Sequence, residues 1–188
     1  MRIGSSIDVE GSARAVAVNV RRETFAVTGS TLDHLRRAVA MLAPRRAGAA
    51  HAAYTAWEVR WSYSPAIEER GFCAADVRVD VDVVCTFPRW RPPSSAAGVV
   101  VHRWIAYVEA LEVHEQGHVD LAVQAAVAVH QALQTLAVHP SARALQRAAE
   151  EVAGAVLDDF RGREAAYDVA TGRGAHQGVC LDGDAAGS

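Results

Sequence analysis

The chain has 188 residues, of which 51% are hydrophobic and 22% charged, and its net charge is −3. That suits a single domain over residues 1–188 with a sizeable core. There is no basic surplus to draw a nucleic acid, and charges interrupt every apolar run before the ~20 residues that a membrane span requires.

In the opening MRIGSSIDVEGSARAVAV, Asp8, Glu10 and Arg14 interrupt the apolar stretch. A secretory signal needs ~7–15 uninterrupted apolar residues. As written, the chain is expected in the cytoplasm, and in the periplasm or outside the cell if the N-terminus is truncated. Phe25 and Val27 alternate with small residues in FAVTG, a strand broken at Gly29. Ser30 or Thr31 can cap the helix that follows, with Asp33 in its first turn. Leu32, Leu35, Val39 and Leu42 share one face of that helix, and Pro44 ends it. RRAGAAHAA reads as a loop.

YTAWEVRWSYS is a strand with Trp57, Val59 and Trp61 on one side and Glu58 and Arg60 on the other. In CAADVRVDVDVVC, Val77, Val79, Val81 and Val83 oppose Arg78, Asp80 and Asp82, the pattern of a half-buried antiparallel strand. It is expected to close at FPRWRPP, whose prolines cannot donate to a ladder. It could accept an extended substrate if it were an edge; a buried place inside the sheet is favoured. Cys73 and Cys85 stand on the valine parity. Twelve residues of strand separate them by roughly 40 Å, far beyond the ~7 Å that a disulfide tolerates. Cys180 makes the count odd and no CxxC occurs, so a thiolate zinc site is not expected.

Helical periodicity then runs from about Ala97 to Leu136 through Trp104, Val108, Leu111, Leu121, Ala125 and Val129. His139 precedes Pro140, which disfavours helix there. Ser141 can cap a second helix reaching about Glu164, with Glu150, Glu151, Asp158 and Asp159 on its solvated face. The Gly-rich stretch from Tyr167 onward reads as irregular, ending in a short flexible tail. The fold class is α+β: a mainly antiparallel N-terminal sheet with one helix, then two long helices, with the core over about residues 20–180.

The chemistry concentrates in EVHEQGHVDL, residues 112–121. Residues four apart on a helix carry Cβ atoms ~5–6 Å apart on one face, so His114 and His118 can converge on one zinc ion at ~2.0–2.1 Å. Glu115 lies ~100° around the helix, off the ligand face yet able to take a proton from a water there. The composition alone yields about 0.02 occurrences of H-E-x-x-H, so accident is disfavoured. A di-iron site would need a second E-x-x-H pair and two further glutamates, and none is present. His102 and His130 fall ~120° off the motif face and read as surface or satisfied core residues. His34, His51 and His139 stand without a constellation. Gly117 inside the helix costs ~1 kcal/mol relative to Ala, which is explained either by a strand or substrate approaching the helix beside the metal or by simple tolerance.

FAVTGSTLDHLRRA, YTAWEVRWSY, the Cys-and-Val strand leading to FPRW, RWIAYVEALEVHEQGHVDLA and YDVATGRGAHQG occur in order from about Glu23 to Gly178. Together they resemble a bacterial domain family of unknown function, number nine-two-two, described as secreted zinc-dependent proteases. The resemblance implies a zincin-like fold, zinc on His114 and His118, Glu115 as general base, and a peptide or protein substrate. The family pattern has histidine before glycine in its Thr-x-His-Gly stretch, where this chain has Arg173, and His176 stands three residues on. A third zinc ligand is expected from beyond the helix, Asp168 first and His176 second, with Glu150, Glu151 and Glu164 held to be surface charges. The alternative is a non-catalytic, metal-stabilised module derived from such a peptidase. Three ligands and an open position would mark the enzyme, and a closed site the module.

Overall fold

Valine alternating with charge makes the central strand of the sheet. The computed structural model describes residues 15–46 and 49–181, with the backbone alone at Arg45, Arg46, Ala49 and Ala50. The expectations for the segment before Ala15 and for the tail after Leu181 lie outside the described residues. In β5 (Gly71–Trp90), Val77, Val79, Val81 and Val83 are buried while Arg78 and Asp80 face solvent, as the two-residue period of a strand requires.

β5 lies between β1 (Val16–Val27) and β4 (Tyr54–Glu68) in a three-stranded sheet of order β1-β5-β4. Only Glu69 and Arg70 connect β4 to β5, so these two form an antiparallel hairpin. β1 runs parallel to β5. Val79 N donates to Ala15 O at 2.7 Å, Asn19 Nδ2 donates to Asp82 Oδ1 at 2.7 Å, and Arg22 lies over the Phe87 ring, so partners advance together along both strands. The sheet is therefore mixed, a correction to the mainly antiparallel sheet expected. α1 (Leu32–Leu42) and the chain after it provide the long crossover that a parallel pair needs. Because β5 has neighbours on both sides, it offers no edge to an extended substrate.

Other boundaries shift. Thr31, not Ser30, caps α1: its hydroxyl accepts from His34 N at 3.2 Å. The loop after Pro44 contains a small hairpin, with β2 (Arg45–Arg46) paired antiparallel to β3 (Ala49–Ala50). β5 continues through Pro88 to Trp90, whose indole donates to Gly29 O at 3.0 Å. Cys73 and Cys85 do lie on one strand as free thiols, Cys85 buried and Cys73 only partly so.

The two long helices are α2 (Gly98–Gln134) and α3 (Ala142–Ala170). Ser141 caps α3 by accepting from Ala144 N at 3.2 Å. α3 outruns its expected end at Glu164, because no Gly or Pro interrupts Ala165 to Ala170 before Thr171-Gly172 breaks it. Tyr167 and Asp168 thus belong to its last turn rather than to irregular chain. Among the described residues no helix is long and apolar enough to cross a membrane.

The chain packs as two compact units. Among the described residues, the first takes 15–21, 57–83 and 119–166. Its buried residues include the valines of β5, Ala122, Ala125, Ala126, Val129 and Leu133 of α2, and Leu145, Ala149, Ala153 and Phe160 of α3. On its polar face, Asp82 accepts from Asn19 of β1 and pairs with Arg60 of β4, which ties all three strands together. The second takes 22–46, 49–56, 84–118 and 167–181. Trp90, Trp104 and Tyr107 pack in series in its core at 5.7 Å centroid spacings, the first pair edge-on and the second tilted. Arg22 pairs with Glu112 while lying over Phe87, which pins the start of the motif segment to the sheet.

Candidate metal centre

The second unit gathers one polar cluster. His114 and His118 project from α2 with ring centroids 5.0 Å apart and planes at 89°, as the i, i+4 spacing requires. The last turn of α3 brings Asp168 to both: its Oδ1 lies 3.1 Å from His118 Nε2 and 3.3 Å from His114 Nε2. Donor atoms of the three residues fall within 4.8 Å of one another, the one such group of His, Cys, Asp and Glu among the described residues. Both imidazoles are nearly buried, whereas the Asp168 side chain is 31% exposed, so the cluster opens on the carboxylate side.

This donor set fits a tetrahedral divalent ion. Bonds of 2.0–2.1 Å place ligand atoms about 3.3 Å apart, close to the two histidine–carboxylate separations. The carboxylate also stands in the last turn of α3, which holds no basic residue. A negative charge at the C-terminal end of a helix dipole is disfavoured, and a cation seated between the three donors would offset it. Asp168 is thus brought to the histidines and His176 is not. The His176 ring donates from Nδ1 to Ala170 O, 3.0 Å away, and packs over Gly172 at the exposed edge of the loop.

Glu115 points elsewhere, as its angular offset predicts. Its side chain is buried, and Oε2 accepts from Thr55 Oγ1 at 2.7 Å. Burial pushes the carboxyl above the ordinary carboxylate range, against the Thr55 hydrogen bond and the two imidazoles, which favour its ionised form. Cys85 Sγ stands 3.5 Å from the same hydroxyl. Burial raises the Cys85 thiol, which keeps it protonated.

Sequence reasoning missed the groups packed around His114. Tyr167 stacks on His114 at 5.2 Å with planes 11° apart and meets His118 edge-on at 5.1 Å. What Gly117 admits is this ring from α3, neither a strand nor a substrate: a Cβ there would lie 2.2 Å from the Tyr167 hydroxyl and 2.3 Å from Cζ. A glycine in the middle of a helix was the available signal for a bulky neighbour. Gln177 Oε1 lies 2.9 Å from His114 Nδ1, and Thr171 Oγ1 lies 3.4 Å from it. The loop that carries them holds Gly172, Arg173 and Gly174 at φ 58°, 54° and 84°. Gly174 is buried, and a Cβ on it would come within 3.2 Å of His114 Cγ. Arg173 sits on this turn with its side chain exposed, and its amide donates to Asp168 O at 2.7 Å.

The remaining histidines stay apart from the cluster. His102 and His34 are exposed. His130 is buried and its Nε2 has no hydrogen-bond partner, so it is not the satisfied core residue expected.

No curated protein and no solved structure matches the chain. Residues 22–177, which include every residue of the cluster, match the family described as "Bacterial protein of unknown function (DUF922)", and the chain belongs to that family.

Proposed function

We propose that the protein is a zinc-dependent metallopeptidase of zincin-like fold that hydrolyses peptide bonds in a peptide or protein substrate. One observation carries the reading: His114 and His118 of a helical His-Glu-x-x-His segment converge with Asp168, while Glu115 stays off their face. Three protein donors are what a catalytic zinc takes, and a structural zinc takes four. This favours the enzyme over the non-catalytic module. So does the partial exposure of Asp168, on the side from which a substrate carbonyl would reach the ion.

A zinc ion held by these residues would polarise a peptide carbonyl and acidify a water beside it. His114 and His118 would fix the ion's position and Asp168 would complete the set. Glu115, oriented by Thr55, would accept the proton of the attacking water and return it to the leaving amine. Neither step requires a side chain at position 173, whose contact with the site is through its backbone.

The test is Glu115→Gln, which keeps the shape and removes the base. The variant should fold and keep about one zinc per chain, while hydrolysis of a peptide library falls 10²–10⁴-fold. Loss of zinc from the variant would make Glu115 a ligand. A zinc-loaded wild type that cleaves nothing would leave the non-catalytic module as the better account.

A further inference from the structure

Four groups around His114 form a closed hydrogen-bond circuit whose polarity can be read without seeing a hydrogen. Tyr167 Oη lies 3.1 Å from the His114 carbonyl oxygen. A carbonyl only accepts, so the phenol spends its single hydrogen there. Toward Gln177, 3.1 Å away, the phenol oxygen can then only accept, and it is the Gln177 Nε2 amide that faces it. This turns Gln177 Oε1 toward His114 Nδ1 at 2.9 Å. An amide oxygen only accepts, so Nδ1 must carry the hydrogen. A second chain reaches the same result. Thr171 Oγ1 donates its hydrogen to Tyr167 O at 2.8 Å, so it too presents only a lone pair to His114 Nδ1.

The geometry points to Gln177 and Tyr167 as positioning residues that lock His114 in its Nδ1–H tautomer and aim the Nε2 lone pair at the metal position before any ion arrives. The inference rests on reading the cluster as a metal site, but the tautomer itself does not. A competing arrangement would put the hydrogen on Nε2, for donation to Asp168. That would set a bare Nδ1 against two acceptors, at 2.9 and 3.4 Å, or, with the Gln177 amide turned over to donate to Nδ1, would draw the phenol hydrogen toward Gln177 and away from the His114 carbonyl. The Asp168 oxygen has a nearer donor in His118 Nε2, at 3.1 Å against 3.3 Å. The two histidines thus divide the work: His118 donates to Asp168 in the metal-free protein while His114 is held ready as a ligand. The stacked Tyr167 ring fixes the plane of the His114 imidazole, and the circuit fixes which nitrogen faces in. A partner on the far nitrogen of a ligating histidine is worth about 10–100-fold in metal affinity.

Two measurements test this. The first is nitrogen-15 NMR of the metal-free wild type at about pH 9, where an ordinary imidazole is neutral. His114 should show a protonated Nδ1 and a bare Nε2, the reverse of the tautomer that free histidine prefers. Finding the hydrogen on Nε2 overturns the proposal whether or not the protein binds zinc. The second is zinc affinity by chelator competition in the full chain. Gln177→Leu keeps the volume but offers no acceptor, and should weaken zinc about 10–100-fold. Gln177→Glu restores an acceptor and should recover affinity to within a few-fold of wild type, a rescue that a purely space-filling role would not produce. Equal affinity in wild type and Gln177→Leu overturns the proposal. A wild type that takes up no zinc, yet shows the Nδ1–H tautomer, overturns the metal reading and leaves the tautomer lock standing.

Discussion

Gly117→Ala sets a local gain against a tertiary loss. In an isolated helix the substitution would stabilise by about 1 kcal/mol, because alanine loses less backbone freedom than glycine. Here the new Cβ would lie 2.2 Å from the Tyr167 hydroxyl, where ordinary contact begins at 3.4 Å. The ring cannot retreat by that much and keep its stack on His114 or its bonds to His114 O and Gln177. Overpacking costs about 1–3 kcal/mol, and each hydrogen bond lost adds about 1 kcal/mol. The net should be a destabilisation of about 1–4 kcal/mol, read as a lower urea midpoint at unchanged slope. Gly154 and Gly162, in α3, have nothing within 4 Å of a built Cβ. Alanine at either should stabilise by up to about 1 kcal/mol. In a Tyr167→Ala background, Gly117→Ala should change sign and stabilise as well, a coupling that a double-mutant cycle isolates. If Gly117→Ala alone stabilises as much as Gly154→Ala, Tyr167 is not packed against α2 and the account of the cluster fails.

Three further outcomes are expected. Asp168→Ala should weaken zinc binding far more than Glu150→Ala, because Glu150 is exposed on α3 and bonded to Gln146; equal affinities by chelator competition would move the third ligand elsewhere. Asp82 is held below the ordinary carboxylate range by the hydrogen bond from Asn19 and then by Arg60. Its contribution is therefore complete above the ordinary aspartate pKa of about 4 and is lost as pH falls through the lowered folded value. Asp82→Asn should flatten the acid limb of the stability curve, and an acid limb identical to wild type would refute this. Arg173 holds φ 54°, a region that costs an L-residue about 1–2 kcal/mol. Arg173→Gly should raise the melting temperature while leaving zinc affinity unchanged, and a fall in both would show that the arginine side chain supports the site.

Legibility followed the range of the interactions. His114, Glu115 and His118 could be read because helical spacing alone decides which side chains share a face. The valines of β5 could be read because strand parity is equally local. The parallel pairing of β1 could not, since alternation along a strand says nothing of its neighbour's direction. The helical state of Tyr167 and Asp168 was hidden by the glycines just after them, which suggested irregular chain too early. Thr55 and Gln177 lie 60 and 63 positions from the motif residues they touch. Nothing in the composition around either distinguishes it from a surface residue. Gly117 was legible as an anomaly but not as its cause, because the ring it admits arrives from another helix.

The distance along the chain between His118 and Asp168 has a thermodynamic consequence of its own. These residues stand 50 positions apart and meet at 3.1 Å. An ion bridging them is a cross-link, and cross-links act on the unfolded chain by removing its freedom. Closing a loop of this length is worth about 4 kcal/mol in the chain-entropy model. The segment so closed holds the whole helical hairpin from Val119 to Tyr167. The two helical runs of that segment are already joined through the chain ahead of Ser141, so the ion would add a second tie between its ends. Removing it should free the last turn of α3 first, with amide exchange quickening from Tyr167 to Gln177 well before the rest of the hairpin lets go.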